Sequence, residues 1–164
     1  FNLFPHRTAL ENVIEAPMQV KRQSRSEAVD KARYLLDRVG LSDRADAYPA
    51  QLSGGQQQRV AIARALAMDP KLMLFDEPTS ALGVRQTSNV LATIDRVRKQ
   101  GIGVVFITHN VRHAMAVGDR FTVLNRGRTL GTAARGEIQP EELQDLMAGG
   151  QEMAQLEQSL GGTI

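Results

Sequence analysis

Lys71-Leu-Met-Leu-Phe-Asp-Glu-Pro-Thr-Ser80 is the most informative segment of this sequence. Four apolar residues run into two adjacent carboxylates and Pro78 ends the run, which predicts a short buried strand. Asp76 and Glu77 then lie at the carboxyl end of that strand, the edge at which open α/β sheets bind ligands. Beside a phosphate site, one such acid can hold Mg²⁺ and the other can orient an attacking water. The alternative is a polar turn after a core strand, so neighbouring motifs have to decide.

The composition is that of an ordinary soluble globular chain of single-domain size, with 164 residues, 42% hydrophobic and 23% charged. A net charge of +2 is too small to argue for nucleic acid or an anionic membrane as a partner. No apolar run is long enough to span a bilayer, and no signal peptide is visible. The absence of cysteine excludes disulfides and thiolate metal sites and fits the cytosol. The chain starts at Phe1 without a methionine, so we expect it to belong to something longer.

Two helices are predicted from their capping signals. Thr8-Ala-Leu-Glu11 has capping-box spacing ahead of a short apolar stripe, and Pro17 is expected to limit that helix. Ser24-Arg-Ser-Glu27 opens a second helix, and Gly40 is expected just past its end.

A third helix follows Leu52-Ser-Gly-Gly-Gln56. Its residues from Val60 to Met68 include one polar side chain, so we expect this helix to be buried nearly all round. Ser53 suits the N-cap, and the glycine pair lets another surface approach the backbone closely. A helix start of this kind can bind an anion through its N–H groups and dipole, although a Ser-Gly-Gly cap needs no ligand.

The next elements bring a histidine to the same region. A helix predicted over residues 84–99 leads to a second buried strand, Val104–Ile107, and then to His109. Strand, helix and strand fit within 33 positions (109 minus 76), which predicts a right-handed βαβ unit with parallel strands. We therefore expect His109 at the same sheet edge as Asp76 and Glu77, where a role in chemistry competes with a structural one.

The remaining elements are a hairpin and a terminal helix. Asn125-Arg-Gly-Arg128 is typical of a hairpin turn, and Pro140 suits the first turn of a helix ending near Gly149. Met153, Leu156 and Leu160 predict a last amphipathic segment.

Taken together, four elements resemble those of the ATP-binding-cassette (ABC) ATPases in order and spacing. They are the Leu52–Gln56 signature with its helix, Leu72–Pro78, Ser80–Leu82 and Thr108–His109. The resemblance covers essentially the whole chain. It implies an α/β chain with a partial P-loop NTPase (ABC ATPase) fold, made of a helical subdomain and the later part of a mainly parallel sheet with helices.

The resemblance implies a role for each motif. In the family the signature binds the γ-phosphate of ATP held by the opposite subunit, a role that would fall here to Ser53, Gly54, Gly55 and Gln56. Asp76 resembles the Walker B acid that holds Mg²⁺, and Glu77 the general base or water-orienting carboxylate. His109 resembles the switch histidine that contacts the γ-phosphate. The D-loop, which crosses between subunits, is matched by Ser80, Ala81 and Leu82.

Other family motifs have no counterpart in this sequence. No Gly-x-x-x-x-Gly-Lys-Ser/Thr occurs, so the phosphate-cradling loop and its lysine are not supplied by this chain, and no aromatic A-loop precedes it. The Q-loop glutamine would lie just before Phe1. Because phosphoryl transfer depends on such positioning and charge, we expect the chain alone to hydrolyse no ATP.

The two halves of the chain differ in their likeness within the family. Residues 1–80, through Phe1–His6 and Tyr48–Leu52, resemble ATPases of polar amino-acid importers. From Ala81 onward, the chain resembles ATPases of sugar importers, and Gly83 stands where most of the family has the D-loop aspartate. Either the chain is a natural variant or it is a mosaic joined near residues 77–82, and we favour the mosaic.

The expected protein is an ATP-binding, ATP-hydrolysing subunit of an ABC importer that powers uptake of an amino acid or a sugar. A helical subdomain over residues 1–69 precedes the α/β part over residues 70–164. By resemblance the partners are permease subunits and a second ATPase subunit, and the location is the cytoplasmic side of the cell membrane, bound peripherally. The alternatives are an inactive remnant or a non-transport ABC ATPase of DNA repair or translation. The DNA-repair type places a long coiled coil before the signature, whereas about 50 residues without heptads precede it here.

Overall fold

The computed structural model describes residues 2–148, so Phe1 and the predicted segment around Met153, Leu156 and Leu160 lie outside the described residues. The described residues divide into two units, one ending at Val105 and the other beginning at Phe106. The helices are α1 (Ala9–Val20), α2 (Arg25–Arg38), α3 (Gly54–Leu66), α4 (Val84–Lys99), α5 (Val111–Val117) and α6 (Pro140–Met147). The strands are β1 (Leu72–Asp76), β2 (Gly103–Ile107), β3 (Arg120–Asn125) and β4 (Arg128–Ala134).

The capping signals place the first three helices. Reciprocal capping boxes form at Thr8, Ser24 and Ser53, as predicted. Helix α2 ends in a Schellman motif, in which Leu41 N–H donates to the Leu36 carbonyl and Gly40 N–H to the Asp37 carbonyl, both at 2.8 Å. Gly40 has the positive φ of 68° that this motif needs. Local sequence therefore determines where these helices begin and where α2 ends.

The prediction that Pro17 limits α1 is wrong, because the helix continues to Val20. Pro17 is fully buried, and the Lys21 and Gln23 N–H groups both donate to its carbonyl at 3.2 Å. A proline inside a helix loses one backbone hydrogen bond and clashes with the preceding turn. Here the helix persists through the proline because burial of that face stabilises it.

The core of the first unit lies among α1, α2, α3 and α4. Its largest fully buried apolar side chains are Val13, Leu36, Val39, Leu41, Val60, Val90, Ile94 and Val97. Residues 2–69 contain helices, turns and loops but no strand, in agreement with a helical segment. The predicted subdomain division at residue 69 stays a prediction. The two compact units separate at another place, between Val105 and Phe106.

Strands β1 and β2 form a two-stranded sheet. Gly103 N–H donates to the Lys71 carbonyl at 2.9 Å, so the starts of the two strands meet and the strands run in the same direction. The prediction that β1 is fully buried is wrong. Met73 and Phe75 are buried, but Leu72 and Leu74 are 61% and 63% exposed, since the described residues cover only one face of this strand.

In the second unit, β3 and β4 form the predicted hairpin, with Gly127 in its turn. Phe121, Val123 and Leu143 are its buried core, so the hairpin packs against α6. Helix α6 begins at Pro140, the predicted first position. Among residues 2–148, no helix is both long and apolar enough to cross a membrane.

Candidate functional site

The first part of the candidate site is the start of α3. Ser53 Oγ accepts the Gln56 N–H at 3.3 Å, and the Gln56 Oε1 accepts the Ser53 N–H at 2.8 Å. Ser53 is exposed and Gly54 is half-buried, so the positive end of the helix dipole faces solvent at this point. An anion can reach the helix start, while the amide oxygen of Gln56 already serves the cap.

Two arginines anchor α3 and thereby place its start. Arg59 Nη1 donates to the Val39 carbonyl at 3.0 Å, and burial, followed by the nearby charge of Arg96, lowers the pKa of the Arg59 guanidinium. In the last turn, Arg64 Nη1 donates to the Asn2 carbonyl at 2.9 Å, and its guanidinium lies 5.9 Å from the centre of the Phe4 ring. The signature helix is therefore joined to the end of α2 and to the first loop of the chain.

The second part is the end of β1. Asp76 is the last residue of this strand and is exposed, and Glu77 follows with a positive φ of 44°. The Ser80 N–H donates to the Glu77 carbonyl at 3.1 Å, which closes a turn over the buried Pro78 and Thr79. A positive φ at a glutamate is strained backbone, of the kind that accumulates at functional sites.

The third part is the turn between β1 and α4. Ser80 and Ala81 are exposed, Ala81 has a positive φ of 60°, and Leu82 is half-buried. Gly83 then takes the N-cap position of α4 without a side chain to cap it. Its N–H is instead accepted by Gln86 Oε1 at 3.3 Å.

The structure brings the signature and this turn together through one contact. A Cβ built on Gly55 would lie 2.9 Å from Gln86 Cβ and 3.3 Å from its Cγ, closer than van der Waals contact allows. Gly55 is therefore required for the close packing of α3 on α4. Sequence reasoning missed Gln86. The spacing of a glutamine three residues after Gly83, at a helix start, is the signal that could have found it.

His109 lies in the second unit, exposed, between β2 and α5. The next residue, Asn110, caps α5 by accepting the His113 N–H at 3.1 Å through its Oδ1. The expectation that His109 shares an edge with Asp76 and Glu77 stays a prediction.

The exposed carboxylate of Asp76 suits Mg²⁺, which prefers oxygen ligands and often takes one or two carboxylates plus substrate phosphates. No group of three histidines or acids that could enclose a metal occurs among the described residues, so the remaining ligands would be phosphate and water. When bound there, Mg²⁺ would neutralise charge on the phosphates. Asp76 would hold the ion, and Glu77 would orient a water at the adjacent position.

Part of this chain is similar to known ATP-binding proteins of transporters. The profile of the ABC transporter family matches residues 1–80. The glutamine transport ATP-binding protein GlnQ of Bacillus subtilis is 50% identical over 138 residues, covering 84% of this chain and 57% of that protein. The arginine transport ATP-binding protein ArgV of Corynebacterium glutamicum is 54% identical over 127 residues, covering 77% of this chain and 50% of that protein.

A solved structure shows the same fold. It is the dimeric, post-hydrolysis state of the ATP-binding cassette MJ0796 bound to ADP and Pi, with a TM-score of 0.71 and 36% identity. The match covers 84% of this chain and 60% of that chain, which confirms the predicted partial-length ABC ATPase fold. This chain spans about half the length of the curated relatives that it matches. Over that part of their length, this chain is similar to ATP-binding proteins of the ABC transporter family.

Proposed function

We propose that this chain acts in an ATP-hydrolysing subunit of an ABC importer, where it presents its signature to MgATP held by a second ATPase subunit. The observation that carries this proposal is the packing of Gly55 on Gln86. It joins the anion-attracting start of α3 to the turn that follows Asp76 and Glu77. A helix start that can attract an anion and an acid suited to Mg²⁺, both within one compact unit, are two parts that phosphoryl transfer needs.

Each residue then has a proposed role. Asp76 would hold Mg²⁺, Glu77 would orient the attacking water or act as the general base, and His109 would contact the γ-phosphate. Gly54 leaves the start of α3 open to close approach, Gly55 makes room for Gln86 beside it, and Ser53 fixes the direction of the N–H groups through the cap. Ser80, Ala81 and Leu82 would form the crossing between subunits.

The proposed solute is a polar amino acid. The two relatives described above carry out glutamine and arginine transport by their names. An alignment of 127 residues cannot fit within residues 1–82, so the likeness to ArgV continues past the junction that the mosaic prediction places at residues 77–82. The comparisons give no support to the sugar-importer likeness of the second half. Because the likeness to an amino-acid transport protein continues across the predicted junction, we favour a natural variant over a mosaic.

The proposed partners are a permease and a second ATPase subunit. The solved relative is dimeric, which supports a subunit pair as the working unit. We place the subunit at the inner face of the cell membrane, held there by the permease.

The test uses the full 164-residue chain together with an intact, hydrolysis-deficient amino-acid-importer cassette, which supplies a phosphate-binding loop. We expect the chain to bind that cassette in the presence of MgATP and not in its absence, as measured by fluorescence anisotropy. The chain alone should release no phosphate from ATP. Binding of equal strength with and without MgATP, or no binding at all, would overturn the proposal and favour an inactive remnant.

A matched pair of variants distinguishes the role of Ser53 as a helix cap from its proposed contact with phosphate. Ser53→Asp and Ser53→Asn both keep a good N-cap, so neither should lower the stability of the chain by more than about 0.5 kcal/mol. Aspartate adds a negative charge where we place the γ-phosphate, and asparagine does not. We expect MgATP-dependent binding to fall at least about tenfold with Ser53→Asp and to be largely kept with Ser53→Asn. Equal binding by the two variants would show that no phosphate sits at Ser53.

A further inference from the structure

The first turn of α3 and the first turn of α4 approach each other more closely than any side chain on Gly55 would permit. The ideal Cβ on Gly55 meets three consecutive atoms of one residue, namely Gln86 Cβ at 2.9 Å, Cγ at 3.3 Å and Cα at 3.5 Å. Gly55 is buried and lies in regular helix, so glycine is needed here for space and not for an unusual φ. The stem of Gln86 therefore determines how near the signature can come to α4.

The far end of the same side chain holds the turn before α4. Gln86 Oε1 accepts the Gly83 N–H at 3.3 Å, in the position that the third residue of a capping box occupies. At Ser24 and Ser53 the serine Oγ also accepts the backbone N–H of the residue three positions later. Gly83 has no side chain and cannot form this second hydrogen bond. Gln86 thus restrains this end of the turn, together with Thr87, whose Oγ1 donates to the Leu82 carbonyl at 3.5 Å.

The turn itself needs such a restraint. Glu77 and Ala81 have positive φ values of 44° and 60°, and neither is glycine. Conformations of this kind cost free energy and persist only where surrounding contacts determine them. The hydrogen bond from the Gly83 N–H to Gln86 Oε1 restrains the end of the turn that leads into α4.

We propose that Gln86 is a positioning residue that sets the signature, residues 53–56, against the turn of residues 80–83, so that both present their backbone to the same shared nucleotide. The inference rests on the proposed function and names a residue that none of the motifs includes. Gln86 contacts no substrate. It acts through Gly55 on one side and Gly83 on the other.

The test compares Gln86→Ala with Gln86→Glu in the full chain. Alanine removes the acceptor and the stem beyond Cβ, while glutamate keeps both. We expect Gln86→Ala to weaken MgATP-dependent binding to the hydrolysis-deficient cassette about tenfold, the effect of one lost hydrogen bond, and Gln86→Glu to restore most of it. Amide exchange at Gly83 should speed up in Gln86→Ala, and exchange at Ser53–Gln56 should change with it.

The control is Glu142→Ala, which removes the corresponding acceptor at the start of α6, where Glu142 Oε2 accepts the Gln139 N–H at 2.9 Å. It should leave MgATP-dependent binding unchanged. If Gln86→Ala binds like the parent chain, or weakens binding no more than Glu142→Ala does, the inference fails while the proposed function stands. If the parent chain itself shows no MgATP-dependent binding, both fail.

A second comparison uses the close contact directly. Gly55→Ala places a methyl group against Gln86 and should weaken binding, and the double variant Gly55→Ala with Gln86→Gly removes the clashing Cβ. Because the double variant also lacks the acceptor for the Gly83 N–H, we expect it to bind more tightly than the sum of the two single effects predicts. If the two effects simply add, Gly55 is needed for a reason other than Gln86, and the inference is overturned.

Discussion

Among single side chains, Asn12 holds the first loop of the chain in place. It is fully buried, its Oδ1 accepts the Phe4 N–H at 2.8 Å, and its Nδ2 lies within 3.2 Å of the carbonyls of Phe4, Arg7 and Thr8. Disturbing a buried polar group that is satisfied in this way costs free energy, because its partners lose a hydrogen bond where water cannot easily replace it.

Asn12→Ala is expected to lower the free energy of unfolding by about 2–3 kcal/mol, since the Phe4 N–H and the carbonyls lose this partner. Urea unfolding of the chain measures it. Asn89→Ala, at an exposed position of α4, is the control and should change stability by no more than about 0.5 kcal/mol. Similar values for the two variants would contradict the role of Asn12.

Asp69 joins three elements through one carboxylate. Its Oδ2 accepts hydrogen bonds from Lys21 Nζ at 2.8 Å and Lys31 Nζ at 2.6 Å, and these bonds hold the pKa of Asp69 below its ordinary value of 3.8. Its φ of 52° is one that aspartate and asparagine tolerate better than other residues. The carboxylate thus ties the turn after α3 to α1 and α2.

Asp69→Asn should therefore lower stability by up to about 1 kcal/mol near neutral pH, a small effect because the side chain is 61% exposed. A lowered folded-state pKa contributes stability that is present above pH 3.8 and is lost as pH falls through the lower folded value. The difference between parent and variant should be constant above about pH 5 and shrink below about pH 4. Asp43→Asn, whose partner is its neighbour Arg44, is the control. A difference that grows on acidification would refute the assignment.

Among the elements, the β3–β4 hairpin is the one whose turn can be improved. Arg126 and Gly127 have φ values of 48° and 78°, so both central residues of the turn are left-handed. That is the geometry of a type I′ turn, which strongly favours Asn-Gly.

We expect Arg126→Asn to raise the melting temperature, with a gain of about 0.5–1 kcal/mol, and Gly127→Ala to lower it by about 1 kcal/mol or more. Thermal unfolding monitored by circular dichroism measures both changes in melting temperature. The prediction fails if Arg126→Asn destabilises the chain, because the turn would then be of another type.

Among the described residues of the molecule, one face of β1 is an uncovered apolar surface. Leu72 and Leu74 are more than 60% exposed, and Val105 on the neighbouring strand is 42% exposed. An uncovered apolar sheet face favours association between molecules.

Leu74→Thr should raise the concentration at which the chain stays free of aggregates in light scattering, and change its stability by no more than about 0.5 kcal/mol. Phe75→Thr, on the buried face one residue along, should cost about 3 kcal/mol or more. If both substitutions destabilise the chain equally, the two faces of β1 are equally buried, as the sequence had predicted.

Helix starts and tight turns could be predicted from the sequence because their physics is local. Thr8, Ser24 and Ser53 cap their helices with partners three residues away, and Gly127 supplies the turn of the hairpin. The motif Leu52–Gln56 and the acids at the end of β1 likewise predicted a likeness that the comparisons also find, since order and spacing alone carry it.

Contacts between distant parts of the chain could not be predicted in this way. Pro17 stays inside α1 because its burial outweighs the tendency of proline to end a helix. One face of β1 is exposed because the burial of a strand depends on which other elements pack against it. Gln86 and Gly55 are 31 positions apart (86 minus 55), and their contact follows from how two helices pack. Capping residues and motif spacing, which are local features, predicted the helix starts and the likeness to ABC ATPases. Which of these residues contact each other follows only from the folded chain, because burial and close packing depend on all of its elements together.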